Sequence, residues 1–185
     1  MIRDILKRFV KNISDANGYS KDQQEQIEYT VIMLSFEIIK LVSIILIFSM
    51  FGYFKESILV IAVMSMTKPF IGGYHEYTQI RCFIASLLIT AGVIELSLNS
   101  KLSFISNCIL IFISLFCMWN TAPVINKKMP ITRPQIIKKN RILGISITTV
   151  FAVISILLYK YSYFYEIITW TILFQAILMF NKRET

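Results

Sequence analysis

Lys68-Pro-Phe-Ile-Gly-Gly-Tyr-His75-Glu-Tyr-Thr-Gln-Ile-Arg-Cys82 separates two apolar runs, and how the chain turns there decides how its helices are arranged. Pro69 ends or kinks a helix arriving from the N-terminal side. Gly72-Gly73 clears side chains from a place where another backbone, or a peptide substrate, can come close. The stretch holds the only histidine of the chain and, seven residues on, one of its three cysteines. Histidine and cysteine are the minimum set for nucleophilic acyl chemistry: the imidazole holds the thiol as thiolate and later protonates a leaving amine.

The spacing adds a condition. Were residues 75–82 one straight helix, His75 and Cys82 would share a face yet stand about 10 Å apart along the axis. A thiolate–imidazole contact needs roughly 3 Å, so the chain must turn between them. Thr78 is a fair N-cap for a helix starting at Gln79. Cys82 then falls in the first turn, where the helix dipole and Arg81 favour the thiolate. The alternative is a polar loop histidine beside an inert buried thiol.

Composition sets the class. With 56% hydrophobic residues over 185 positions, the chain is too apolar for a soluble domain. Its mean hydropathy of +0.64 agrees. We expect one all-α integral membrane domain over residues 1–185, a polytopic helical bundle. Six apolar runs, about 30–52, 56–71, 80–98, 102–120, 142–159 and 162–180, approach the ~20 residues that cross a bilayer. The second is short and broken by Pro69, so a re-entrant element stands beside a full crossing. Ahead of this 30–180 bundle, residues 1–17 place Ile2, Ile5, Leu6, Phe9, Val10 and Ile13 on one helical face and Arg3, Lys7, Arg8 and Lys11 on the other. That pattern suits an amphipathic helix lying on a leaflet, or one packed on the protein's own loops. Ser20 with Gln23 reads as a capping box for the next helix. No cleavable signal peptide is expected, since the start is amphipathic and not continuously apolar.

The densest cationic segment, 127–141, carries Lys127, Lys128, Arg133, Lys138, Lys139 and Arg141. The positive-inside rule puts it in the cytoplasm. Loops holding only Lys55, Lys101 or Lys160 then face outward, and both termini and the His75–Cys82 turn face the cytoplasm. The net charge of +8 suits anionic lipid or an acidic peptide better than nucleic acid, because the cations flank apolar spans. The cysteines show no zinc spacing, and neither metal nor cofactor is expected. Cys108 and Cys117, in an apolar span, read as packing residues, and so does Ser86. Glu95 lies near an outer span end and snorkels. Glu37, about 9 Å into the first span, needs a partner. That partner is Lys40 in the same helix, or Lys68, Arg81 or His75 at the site.

Lys-Pro-Phe-Ile-Gly-Gly-Tyr-His with a cysteine at plus seven resembles the signature of the accessory gene regulator B family. These are bacterial membrane cysteine endopeptidases that mature quorum-sensing propeptides. Thr121-Ala-Pro-Val-Ile-Asn-Lys-Lys-Met-Pro-Ile131 is similar to the family's second element, Ala-Pro-Val followed by Pro-Leu or Pro-Ile. Lys68 stands where the family commonly has Arg, keeping the charge but losing the bidentate fork. The resemblance covers most of the chain. It implies His75 and Cys82 as the catalytic pair, in a bacterial cell membrane, and Lys68, Gly72, Gly73, Arg81 and Glu37 are the candidate supporting residues. It implies cleavage through a Cys82 thioester, which a thiol or hydroxyl of the propeptide captures as a cyclic thiolactone or lactone. The expected partners are a short amphipathic propeptide and anionic lipids, with room for a homodimer. Lys127, Lys128, Arg133, Lys138 and Lys139 are candidates for gripping an acidic tail, or serve topology alone. The competing class is a non-enzymatic small membrane transporter or peptide-export partner, but no inverted repeat is visible.

Overall fold

A computed structural model describes residues 2–73, 78–124 and 133–180, with side chains from residue 4 onward. Among them run seven helices and no strand: α1 (Ile2–Asn17), α2 (Lys21–Met50), α3 (Phe54–Ile71), α4 (Gln79–Asn99), α5 (Phe104–Thr121), α6 (Pro134–Leu158) and α7 (Phe164–Phe180). Each apolar run of the sequence became a helix. The chain divides into two compact units, residues 1–46 and 47–185.

In the first unit, Ser20 and Gln23 form the expected box. Ser20 N–H donates to Gln23 Oε1 at 3.0 Å, and Gln23 N–H to Ser20 Oγ at 3.3 Å. Lys7 of α1 reaches Glu28 of α2 at 2.9 Å. Ile5, Phe9 and Ile13, one stripe at four-residue spacing, stay exposed although Val10 beside them is buried. An apolar stripe left open along a basic helix is the feature that seats such a helix in a head-group layer. Glu37 pairs with Lys40 at 2.5 Å, one turn on in the same helix.

The second unit is organised around α7. Glu166, Ile167, Ile168, Thr169, Thr171, Ile172, Gln175, Ala176 and Met179 are all buried, so most of this helix is covered, while Ile177 and Phe180 stay exposed. It packs against α3, α4, α5 and α6. The core it shares with them includes Val63, Ile71, Ile111, Met118 and Ala152. By length and composition, α2, α4, α5 and α6 are four helices able to cross a membrane. The other two differ from the even set of six that hydropathy suggests. α3 is one continuous helix of 18 residues that carries Lys55, Glu56 and Lys68, with Pro69 in its last turn. α7 has 17 residues, about 26 Å at 1.5 Å each, and is screened by its neighbours. On α5, by contrast, Ile105 and Phe112 are each 70% exposed, as on a helix solvated by lipid.

Burial of α7 explains its polar side chains, since each finds a partner inside the bundle. Thr169 Oγ1 donates to Asn107 Oδ1 at 2.5 Å and lies 2.8 Å from Ser155 Oγ, joining α7 to α5 and α6. Gln175 meets Thr67 Oγ1 of α3 at 2.8 Å. At the α7 start, Glu166 accepts from Leu102 N–H at 3.0 Å and from Tyr165 Oη–H at 2.8 Å. Glu56 accepts from Tyr163. Glu95 is exposed and holds Asn99 at 2.6 Å.

Candidate active site

The end of α3 is fixed from three sides. Thr67 ties it to Gln175 of α7. Gly144 of α6 lets Ile71 and Phe70 come so near that a Cβ there would lie 2.7 Å from Ile71 Cγ1 and 3.1 Å from Phe70 Cβ. Beyond the helix, Gly72 forms a parallel β-bridge with Val124, and Val124 N–H donates to Ile71 O at 2.9 Å. Gly72 has φ +77° and ψ −157°, a conformation open in practice to glycine alone. A Cβ on it would stand 2.3 Å from Val124 O. The close backbone approach anticipated for Gly72 is therefore to Val124, a residue of the second sequence motif. Gly73 also has positive φ, +132°, with open space to 3.9 Å.

On the other side of the turn, α4 starts where the sequence placed it. Thr78 is extended at φ −119° and ψ 147°, and its side chain accepts from Arg81 N–H at 3.3 Å. Cys82 N–H donates to Thr78 O at 3.0 Å, which puts Cys82 in the first turn as a half-buried thiol outside any disulfide. Arg81 is exposed. The helix that carries Cys82 thus does not continue back through Thr78. His75 lies outside the described residues.

Lys127 and Lys128 also lie outside the described residues. Arg133 occupies the N-cap position of α6 with Pro134 at N1, and Lys138 and Lys139 follow, all exposed. Arg141, counted in the same basic segment, is engaged elsewhere. It donates to Trp119 O at 2.5 Å and lies 5.3 Å above the Trp119 ring, closing the C-terminal end of α5. The described residues hold no cluster of three His, Cys, Asp or Glu suited to a metal. Sequence reasoning passed over Gly144 and Gln175. The signals that could have found them were a glycine within an apolar helix and an amide within a strongly apolar one.

A helical membrane protein, with a cysteine thiol at a capped helix start and a glycine turn bridged to a distant motif, is the class these features define. The chain belongs to the accessory gene regulator B family, whose model matches residues 3–179. It is 44% identical over 181 residues to AgrB-like protein 1 of Clostridium perfringens strain 13, covering 98% of this chain and 97% of that relative. A second protein of the same strain, AgrB-like protein 2, is 25% identical over 169 residues, covering 86% and 79% of the two chains. An AgrB-like protein of strain SM101 is 23% identical over 164 residues, covering 85% and 77%. No solved structure matches.

Proposed function

We propose that the chain is a membrane cysteine endopeptidase that cleaves a short propeptide and promotes its cyclisation. The observation that carries this reading is the start of α4, where Thr78 caps a first turn holding Cys82. Family membership and the preceding His75 support it. His75 takes the thiol proton, and Cys82 Sγ attacks the scissile carbonyl carbon. The C–N bond breaks as His75 returns that proton to the departing amine, leaving an acyl-thioester on Cys82. A thiol of the propeptide then attacks the same carbonyl. Its proton goes to Cys82 through His75 as the Cys82 S–C bond breaks. One thioester replaces another, so the ring closes with little change in bond energy. A hydroxyl in place of the thiol gives a lactone.

The exposed Arg133, Lys138 and Lys139, with Lys127 and Lys128, supply positive charge for an acidic propeptide tail, and Lys68 and Arg81 support the site. Glu37 already has Lys40 as its partner, which meets the cost of its charge within the helix. A second copy of the chain remains a candidate partner. Coexpression with the short open reading frame beside the gene provides the test. Cleavage should survive replacement of Cys108 and Cys117, and iodoacetamide should then stop it by alkylating Cys82. Undiminished cleavage after complete alkylation would remove the mechanism and favour an export partner without peptidase chemistry.

The same reading places both termini and the Cys82 turn in the cytoplasm. In a cysteine-free background, a cysteine at Lys138 should be shielded from an impermeant thiol reagent in intact cells. One at Lys101 or Lys160 should be labelled. Labelling at Lys138 from outside would invert the topology and separate the site from a cytoplasmic substrate.

A further inference from the structure

α6 begins in the basic segment and is one of the helices long and apolar enough to cross a membrane. Gln135, Lys138, Lys139, Ile142 and Leu143 follow one another at three- and four-residue spacing, which brings them to one side of it. Together they line an open groove of about 370 Å³. Lys138 and Lys139 are exposed, and among the described residues neither meets a carboxylate. Arg141 turns to Trp119 instead, so these two lysines carry the charge of the groove.

Further along, the same side of the helix is apolar and still open. Ile142, Leu143, Val150 and Val153 are all exposed. Between them Thr149 returns its hydroxyl to Ile145 O at 2.8 Å, which lowers the cost of placing it in hydrocarbon. The rise from Lys139 to Val150 is about 16 Å. One leaflet contributes about 15 Å of a hydrocarbon core roughly 30 Å thick. A pair of ammonium groups above an open apolar track one leaflet deep matches the two ends of a phospholipid. An acidic peptide tail matches the lysines but has no use for the track.

We propose that this face of α6 holds an anionic phospholipid, with its phosphate on Lys138 and Lys139 and an acyl chain along Ile142, Leu143 and Val150. The site goes beyond the peptidase reading and does not depend on it. Ammonium groups suit a phosphate as mobile point charges with three donors each. Lys138 and Lys139 then face a lipid head group before any substrate arrives, and an acidic tail has to compete for them.

Native mass spectrometry of the full chain provides the test. The protein is taken from nanodiscs holding equal amounts of phosphatidylglycerol and phosphatidylcholine with the same acyl chains, and the retained lipid is counted. The wild type should prefer phosphatidylglycerol by about twentyfold, and Lys138→Gln or Lys139→Gln should each cut that preference about fivefold, the size expected of one lysine at an anionic surface. The double glutamine variant should retain the two lipids equally. Lys138→Arg with Lys139→Arg keeps both charges and should keep the preference. Lys101→Gln with Lys160→Gln removes two exposed lysines elsewhere and should also keep it. Excess inorganic phosphate should leave the lipid in place, because phosphate has no chain to lay along the track. Equal retention of both lipids by the wild type overturns the proposal and leaves the lysines to the propeptide tail. A preference that persists in the double glutamine variant overturns it by placing the lipid elsewhere. An equal loss in the Lys101 and Lys160 variant overturns it as well, since net charge alone then sets the preference. Displacement by phosphate does the same, because the track then contributes nothing. None of these measurements needs cleavage, so failure of the peptidase reading would leave them standing.

Discussion

Cys82→Ala should leave no measurable propeptide cleavage, a loss of at least about 10⁴-fold, while the protein still reaches the membrane. The magnitude follows from the role proposed for the thiol. Without Sγ there is no nucleophile to form the thioester, and removal of a nucleophile from a catalytic unit costs several orders of magnitude. Little else should change, because Cys82 is half-buried in a first turn whose cap depends on Thr78 and on the Arg81 N–H. Cys82→Ser should fail as well, since a hydroxyl beside the same imidazole is a far poorer nucleophile at neutral pH. His75→Ala should approach the same floor, and the double variant should fall no further. Immunoblotting of a tagged propeptide, with insertion of each variant measured in parallel, provides the check. Appreciable cleavage by Cys82→Ala would remove the mechanism.

The second large effect concerns Gly144, which faces the end of α3. A Cβ built there already meets Ile71 Cγ1 at 2.7 Å, Phe70 Cβ at 3.1 Å and Ile71 N at 3.2 Å. Gly144→Leu adds three further carbons to that gap and must push α6 away from α3. Overpacking of this kind costs about 1–3 kcal/mol where a core can give. Here one neighbour is backbone, and it belongs to the residue that accepts the Val124 hydrogen bond. We therefore expect a clear drop in the unfolding temperature of the detergent-purified protein, together with loss of cleavage. Gly92→Ala is the internal control. Its new methyl would meet Phe174 Cζ at 3.7 Å, an ordinary contact, and should change neither quantity much. Equal behaviour of the two variants would show that α6 is free to shift and that the close approach at Gly144 is unimportant.

Interactions within a single turn or a single segment are legible in the chain itself. The apolar runs set the helices from α2 to α7, because backbone groups in an apolar medium must pair within their own segment. Thr78 marks the start of α4 and Ser20 with Gln23 the start of α2, since a cap is made by residues within one turn of each other. The Glu37–Lys40 pair is among the readings for the same reason. The pairing of distant elements is not legible. Hydropathy treats α7 as one more crossing helix, whereas α3, α4, α5 and α6 surround it, and only that burial explains the contacts of Thr169 and Gln175. Glu56 and Glu166 are buried through Tyr163, Tyr165 and the Leu102 N–H, partners supplied largely by other elements. Arg141 belongs by sequence to a cationic segment, yet it closes α5 over Trp119. The two motifs stand about fifty residues apart and share no period. The chain alone thus determined which segments are helical and where they are capped, because those interactions lie within a turn. The tertiary structure decided that Gly72 would meet the peptide of Val124, because a contact between distant backbones depends on how whole helices pack.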